Sequence, residues 1–328
     1  GVTAERRSRA VLTALAAGVM LAVGARLVVE RGGVGLPGGE TTGIVLEIRG
    51  VRAAAAAVVG AALGAAGALL QATLRNPLAS PFVLGLTSGA GLGLVIATWA
   101  SYEATGAIVQ QSASPAAVLI GAFGALGLVY LLGRRGGLID PARLILVGVI
   151  VSVLCGAATM LVQHLLPDRG MAVLTRWVMG TISEETSWAL IAVIGGVTAA
   201  GVAVGGGLGR SLDAASLGDD EAASVGVRLG PLRSVSLLIA GALTAGTVLI
   251  AGPIGFVGLV CPHLVRLAAG PAHGPLVVGS ALAGAALLVL ADAAVAVIRL
   301  PAGELPVGVL TALLGGPVFI VLLRRSSL

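Results

Sequence analysis

Long, nearly uninterrupted apolar stretches dominate the chain, and short segments between them carry most of its charges. A helix that crosses a bilayer needs about 20 mostly apolar residues. A shorter piece at 254–269, broken by Gly and Pro, is interpreted as a short tenth span. The pattern predicts an all-α, polytopic transmembrane helical bundle of about ten spans in a single domain, residues 1–328. The long spans are predicted at 11–29, 53–73, 82–100, 116–132, 144–166, 187–207, 234–251, 276–298 and 307–323.

Arginines at the span ends orient this bundle. With the N-terminus in the cytoplasm, most arginines fall on the cytoplasmic side, as the positive-inside rule expects. Ten spans place both termini in the cytoplasm, whereas nine would put Arg324 and Arg325 outside. The first span is interpreted as a membrane helix and not a signal peptide, because it is long and no small-residue cleavage site is clear.

Composition excludes several classes of protein. Apolar residues make up 57% of the chain and charged residues 11%, which is unlike a soluble enzyme or a disordered chain. The 20 basic residues are all arginine, so neither a P-loop lysine nor Schiff-base chemistry is available. We reject a nucleic-acid partner for the net charge of +5, because the arginines are scattered at span ends.

The cysteines and histidines do not form a recognisable metal site in the sequence. Cys155 and Cys261 lie in apolar stretches and are interpreted as small buried hydrophobes. Cys261 and His263 alone make a poor metal pair. His164, at the outer end of the fifth span, could offer an axial ligand if the transported molecule were haem. We expect no metal site.

One connecting segment, residues 208–233, is long, polar and on the predicted cytoplasmic side. It can hold two short helices, with breaks at Gly218 and between Gly226 and Gly230. Its acidic run, residues 219–221, would fall in the first turn of the second helix, where the helix dipole favours anions. The segment is either a solvated connector or a docking surface for a cytoplasmic partner.

Charged residues also mark the predicted outer side. Arg49 and Arg52 stand three apart at the entrance to the second span, a spacing that places both on one helix face. They could anchor the helix at the membrane interface or meet an acidic partner. Asp292 lies near the outer end of a span, where carboxylates are rare. We expect it to form a structural hydrogen bond to a neighbouring helix.

Five sequence blocks, in order along nearly the whole chain, resemble one family of proteins. The family is that of the permease subunits of ABC importers for iron complexes, which carry siderophores, haem and cobalamin (type II importers). Each block alone would be weak evidence, but together they are specific. The blocks are residues 67–90, 176–183, 217–227, 251–263 and 304–308.

The resemblance implies a transport subunit that is not itself an enzyme. A second copy of the chain would complete the path, two ABC ATPase subunits would supply ATP and Mg, and an extracytoplasmic substrate-binding protein would deliver the cargo. The chain itself would hold no cofactor. It would lie in the cytoplasmic (inner) membrane of a prokaryote, in contact with lipid. The expected cargo is a ferric siderophore, with haem or cobalamin as alternatives.

The resemblance also assigns residues. Arg49, Arg52 and Arg299 would dock the binding protein, although this chain has Val51 where the family commonly has Pro and Ala296 where it often has Arg. The translocation path would be lined by Gly85, Leu86, Thr87 and Ser88 with parts of the fifth span. The ATPase-coupling residues would be Leu217, Gly218, Asp219, Asp220, Glu221, Ala222, Gly226 and Val227.

Two other classes of protein remain as alternatives. An ion-driven secondary transporter would need an intramembrane relay, for which only Asp292 is available. An intramembrane hydrolase could use Ser88 as nucleophile, but His263 has no orienting acid close in sequence. A secondary transporter would also leave the polar segment 208–233 unexplained.

Overall fold

The fold is described from a computed structural model, which covers residues 2–30, 33–35, 42–106, 114–135, 138–167, 174–175, 177–298 and 304–326. It is a bundle of helices with two small antiparallel strand pairs, β1 with β2 and β3 with β4. In chain order the elements are α1 (Val2–Val28), β1 (Val29–Glu30), β2 (Gly33–Val34), α2 (Thr42–Leu74), a 3-10 turn (Pro81–Leu84), α3 (Leu86–Thr105), α4 (Pro115–Leu132), β3 (Arg134–Arg135), β4 (Leu138–Ile139), α5 (Pro141–Gln163), α6 (Trp188–Gly207), α7 (Gly209–Leu217), α8 (Asp219–Ser224), α9 (Leu229–Ala251), α10 (Val257–Ala269), α11 (His273–Val297) and α12 (Val307–Ser326).

The predicted helical membrane architecture is confirmed in its main features. Within the described residues, seven helices are long and apolar enough to cross a membrane: α1, α2, α4, α5, α6, α9 and α11. α10 and α12 are shorter apolar helices, and α3 has 20 residues but more polar ones. The count of ten spans and the placement of the termini stay predictions.

The central helix is α2, which packs against α6, α9, α10 and α11. Its contact with α11 is the most extensive, because small residues let the two backbones approach. A Cβ atom added at Gly60 would lie 2.1 Å from the carbonyl oxygen of Gly284, and one at Gly64 would lie 2.0 Å from that of Ser280. This is the close packing that small residues spaced four apart permit in membrane helices.

Several helices do not begin where they were predicted to, and α1, for example, begins at Val2 and not at residue 11. α2 begins at Thr42, well before the predicted 53, so Arg49 and Arg52 lie on the helix itself. The span predicted from 82 begins with the 3-10 turn, and the side chain of Ser80 forms no capping hydrogen bond. Asp140 caps the start of α5, because its carboxylate accepts hydrogen bonds from the backbone of Ala142 and Arg143.

Candidate functional sites at the two ends of the central helix

A buried ion cluster lies near the start of α2. Asp292, on α11, is fully buried, and its two carboxylate oxygens accept from different arginines. The Nε of Arg26 donates to Oδ2 at 2.5 Å, and the Nη2 of Arg52 donates to Oδ1 at 2.8 Å. The hydrogen bond expected between Asp292 and a neighbouring helix is therefore present, and this carboxylate ties α1, α2 and α11 together.

Two of the three expected docking arginines, Arg49 and Arg52, are held inside the chain. Arg52 also contacts the half-exposed Glu184 and Glu304, at 3.2 and 3.1 Å. Arg49 donates from Nη1 to the carbonyl oxygens of Leu27 and Gly35, at 2.8 and 2.9 Å. Both arginine side chains are buried, so neither projects freely from the surface.

These arginines nevertheless line a small cavity of about 270 Å³. Arg26, Arg49 and Arg52 lie in its wall, and the Nε of Arg52 is buried without a hydrogen-bond partner among the described residues. Ala296, which stands where the family often has Arg, lines the same cavity. Arg299 lies outside the described residues. Contact with an acidic side chain of another protein stays a prediction for this cavity.

A second ion cluster lies at the other end of α2. The carboxylate of Asp219 accepts from the Nη2 of Arg233 at 2.7 Å and from Arg75. Arg75 also donates to the carbonyl oxygen of Ala215 at 2.7 Å, and Arg233 to that of Ile139 at 3.0 Å. Partial burial acts to raise the pKa of Asp219, but Arg233 and Arg75 outweigh it and hold that pKa below its usual value.

The segment 208–233 forms the two short helices expected of it, α7 and α8, with Gly218 between them. A second contact fixes α7 to α11: Asp213 accepts from the backbone nitrogen of His273 at 2.9 Å and lies 2.6 Å from its Nδ1. The two helices are thus attached to α2, α9 and α11. A partner that moved them would pull on the core of the bundle.

Most of the predicted coupling residues lie on the surface of the helix pair α7–α8, residues 209–224. Leu217, at the end of α7, is 77% exposed, and Val225, just after α8, is 69% exposed, which is unusual for large apolar side chains in a polar segment. The exception is Ala222, which is fully buried and anchors α8 in the core. Of the other predicted coupling residues, Asp219, Asp220, Glu221 and Gly226 are exposed, while Gly218 and Val227 are half-buried.

Gly226 ends α8 in a conformation that favours glycine. Its φ is +83°, a left-handed value that costs an ordinary L-residue about 1–2 kcal/mol. No described atom lies within 4 Å of a Cβ added there, so the constraint is backbone strain and not crowding. This turn sets the direction in which the chain leaves α8 for α9.

An uncharged cavity of about 740 Å³ contains two of the predicted path residues, Thr87 and Ser88. The broken backbone between α9 and α10 contributes Pro253 and Gly255, which agrees with the rule that irregular backbone at membrane depth borders a cavity. The fifth span contributes Gly156, Thr159, Met160 and Gln163, and a transport path through this cavity stays a prediction. Other lining residues include Phe82, Trp177, Met179, Gly308 and Leu313.

Some candidates lie away from this cavity. Gly85 forms the turn between the 3-10 segment and α3, with φ +72°, and Leu86 is fully buried in the core. Neither lines the cavity, so their part in a path stays a prediction. His164 is exposed at the end of α5, and His263 packs edge-on against Phe319 beside the fully buried Cys261. Arg176 lies outside the described residues.

Sequence reasoning missed the ionic partners at both ends. Arg26 lies 266 positions from Asp292, and Arg75 lies 144 from Asp219, so no local pattern connects them. No sequence feature distinguishes His273, which is paired with Asp213 in the structure. The one available signal was the rarity of charged residues in apolar stretches, and it marked only Asp292.

Comparison with known proteins shows the relationships of this chain. The model of the FecCD transport family matches residues 35–325. The chain is 37% identical to the hemin transport system permease protein HmuU of Yersinia pestis over 285 residues, which cover 86% of this chain and 84% of that protein. It is 39% identical to the cobalamin import system permease protein BtuC of Halobacterium salinarum over 283 residues, 86% of this chain and 73% of the relative.

A solved structure has the same fold. It is an inward-facing conformation of an ABC transporter assigned to the metal-chelate type, and it superposes with a TM-score of 0.84 at 28% identity. The match covers 97% of this chain and 99% of that one. The similarity therefore extends over the whole bundle.

Proposed function

The chain belongs to the FecCD transport family, and we propose that it is the permease subunit of an ATP-driven importer that moves an iron complex across the inner membrane of a prokaryote. The observation that carries this proposal is the exposed helix pair α7–α8. It presents Leu217 and Val225 to solvent while its buried side is fastened to α2, α9 and α11. A separate ABC ATPase would dock there and supply the ATP hydrolysis.

The uncharged cavity supports a neutral cargo. Thr87, Ser88, Thr159 and Gln163 offer hydrogen bonds, and none of the described residues that line the cavity is ionisable. A charged ligand in such a site would lose solvation without gaining a counter-charge. A neutral ferric siderophore fits this lining best, and cobalamin is the next candidate. Haem, which carries two carboxylates, fits it less well.

The proposed partners act together in one mechanism. A second copy of the chain would complete the path, and α5 favours this because it lines the cavity and also exposes Leu146, Val153 and Leu154. A substrate-binding protein would present an acidic side chain to the cavity beside Arg49 and Arg52. The bundle would span the membrane ten times, with both termini and the helix pair α7–α8 in the cytoplasm.

The alternatives have weaker support. A proton relay needs a carboxylate that is free to bind and release protons, whereas Asp292 is fully buried between two arginines. A hydrolase needs a base beside its nucleophile, and no His lines the cavity that contains Ser88 among the described residues.

Uptake in proteoliposomes tests the proposal. The chain is reconstituted with its ATPase and binding protein, and siderophores, haem and cobalamin are offered in turn. We expect uptake only with internal ATP. We also expect a neutral complex to be taken up in preference to haem. Leu217→Asp should abolish uptake. Arg143→Gln, which changes an exposed residue outside the helix pair α7–α8, should not. Uptake driven by an ion gradient without ATP would contradict the proposal.

A further inference from the structure

A wide groove of about 1510 Å³ opens at the end of the bundle that carries the helix pair α7–α8. Its walls come from the start of α1, the end of α2, α7 and the turn between α10 and α11. Its charged residues are four arginines and two acids: Arg7, Arg9, Arg75, Arg266, Glu5 and Asp213. The groove is therefore basic, and it lies between helices at a predicted membrane surface.

Most of these charges are already paired within the chain. Arg9 pairs with Glu5 at 2.6 Å, Asp213 with His273, and Arg75 with Asp219. Arg7 donates to the carbonyl oxygens of Ala268 and Leu267, at 2.7 and 3.0 Å. These two bonds fasten α1 to the last turn of α10 and shape the groove.

Arg266 is different. Among the residues that the structure describes, none forms a hydrogen bond or an ion pair with its guanidinium, and its Nε is shielded from solvent. The carbonyl ends of α10 compensate only part of this charge. Ser8, across the groove on α1, is only 7% exposed and its hydroxyl has no described partner. A partly buried cation and a buried hydroxyl without partners are costly unless an outside group completes them.

We infer that this groove binds the phosphate of an anionic phospholipid, with Arg266 as the principal contact and Ser8 beside it. α1 favours a lipid as the source, because it exposes apolar side chains such as Met20 and Leu21 further along the helix that forms the groove wall. An acyl chain can follow that surface while the headgroup lies in the groove. Basic pockets between membrane helices bind such headgroups on the cytoplasmic side.

Binding is measured on the purified permease alone, so failure of this inference is distinct from failure of the proposed importer function. Native mass spectrometry counts phosphatidylglycerol on the wild type, on Arg266→Gln and on Arg6→Gln. Arg6 is exposed on the same turn of α1 but does not line the groove. We expect about tenfold weaker binding of phosphatidylglycerol by Arg266→Gln, from the loss of a charge-assisted hydrogen bond, and no change in Arg6→Gln. Arg266→Lys should retain most of the binding.

A second measurement needs no variant. Phosphatidylglycerol should raise the melting temperature of the wild type, and phosphatidylcholine should not, because a ligand stabilises the state that binds it. Equal effects of the two lipids, or unchanged lipid binding in Arg266→Gln, would overturn the inference. So would saturation of the groove by inorganic phosphate without binding of phosphatidylglycerol. Loss of ATPase co-purification in Arg266→Gln with lipid binding intact would assign Arg266 to a partner's acidic side chain instead.

Discussion

The two ends of α2 carry the same chemical device in different surroundings. At each end one carboxylate joins two arginines from different parts of the chain, Asp292 at the start and Asp219 just beyond the end. The side chain of Asp292 is completely buried, whereas that of Asp219 is 46% exposed. The buried cluster holds the bundle together, and the exposed one holds a surface helix that a partner can reach.

The largest expected effect follows from breaking the buried cluster. Asp292→Ala leaves Arg26 and Arg52 buried without their shared counter-charge. Removing one partner of a buried ion pair costs about 3–5 kcal/mol, so we expect a large loss of folding stability. Thermal unfolding of the purified protein in detergent measures it. Near-wild-type stability would show that the two arginines find other partners.

The second effect concerns the turn after α8. Gly226→Arg must adopt a left-handed φ, which costs about 1–2 kcal/mol locally. Because Gly226 has open space around it and follows the helix pair α7–α8, we expect ATP hydrolysis to be uncoupled from uptake while the bundle stays folded. Gly226→Asn is the matched control, since Asn tolerates this conformation. Normal cargo-stimulated transport by Gly226→Arg would contradict a role for this turn in docking.

The third effect tests the exposed cluster. Asp219→Asn should cost about 1 kcal/mol or less in stability, because the Asp219 side chain is itself 46% exposed and solvent screens its charge, yet it should weaken attachment of the ATPase. Since the folded pKa of Asp219 is depressed, its contribution is complete above the unfolded value of about 3.9 and is lost as the pH falls through the lower, folded value. The wild type should therefore lose this contribution only in strong acid. A loss of several kcal/mol in Asp219→Asn would make the two clusters alike.

The smallest effect belongs to the half-exposed acids of the outer cluster. Glu184→Gln with Glu304→Gln leaves Arg52 paired with Asp292, so we expect a loss of less than about 1 kcal/mol. Thermal unfolding beside Asp292→Ala separates the two contributions. A cost equal to that of Asp292→Ala would show that Asp292 alone does not hold the cluster.

Local features of the sequence predicted much of this structure. Hydropathy located the long helices, and Gly218 and the acidic run predicted α7 and α8. The start of α2 was missed, because Glu47, Arg49 and Arg52 lower the hydropathy of its first turns, and only the fold shows that Arg49 and Arg52 are buried. The ionic partners were missed because each pair joins residues distant in sequence, so that packing alone brings them together.

The central claim is that the exposed helix pair α7–α8 docks a separate ATPase. Gentle-detergent purification of the tagged chain from its native membrane, with identification of the subunits that accompany it, tests this most directly. The account predicts an ABC ATPase at about one copy per permease chain, lost in Leu217→Asp. A chain that purifies alone and still transports in liposomes under an ion gradient would contradict it.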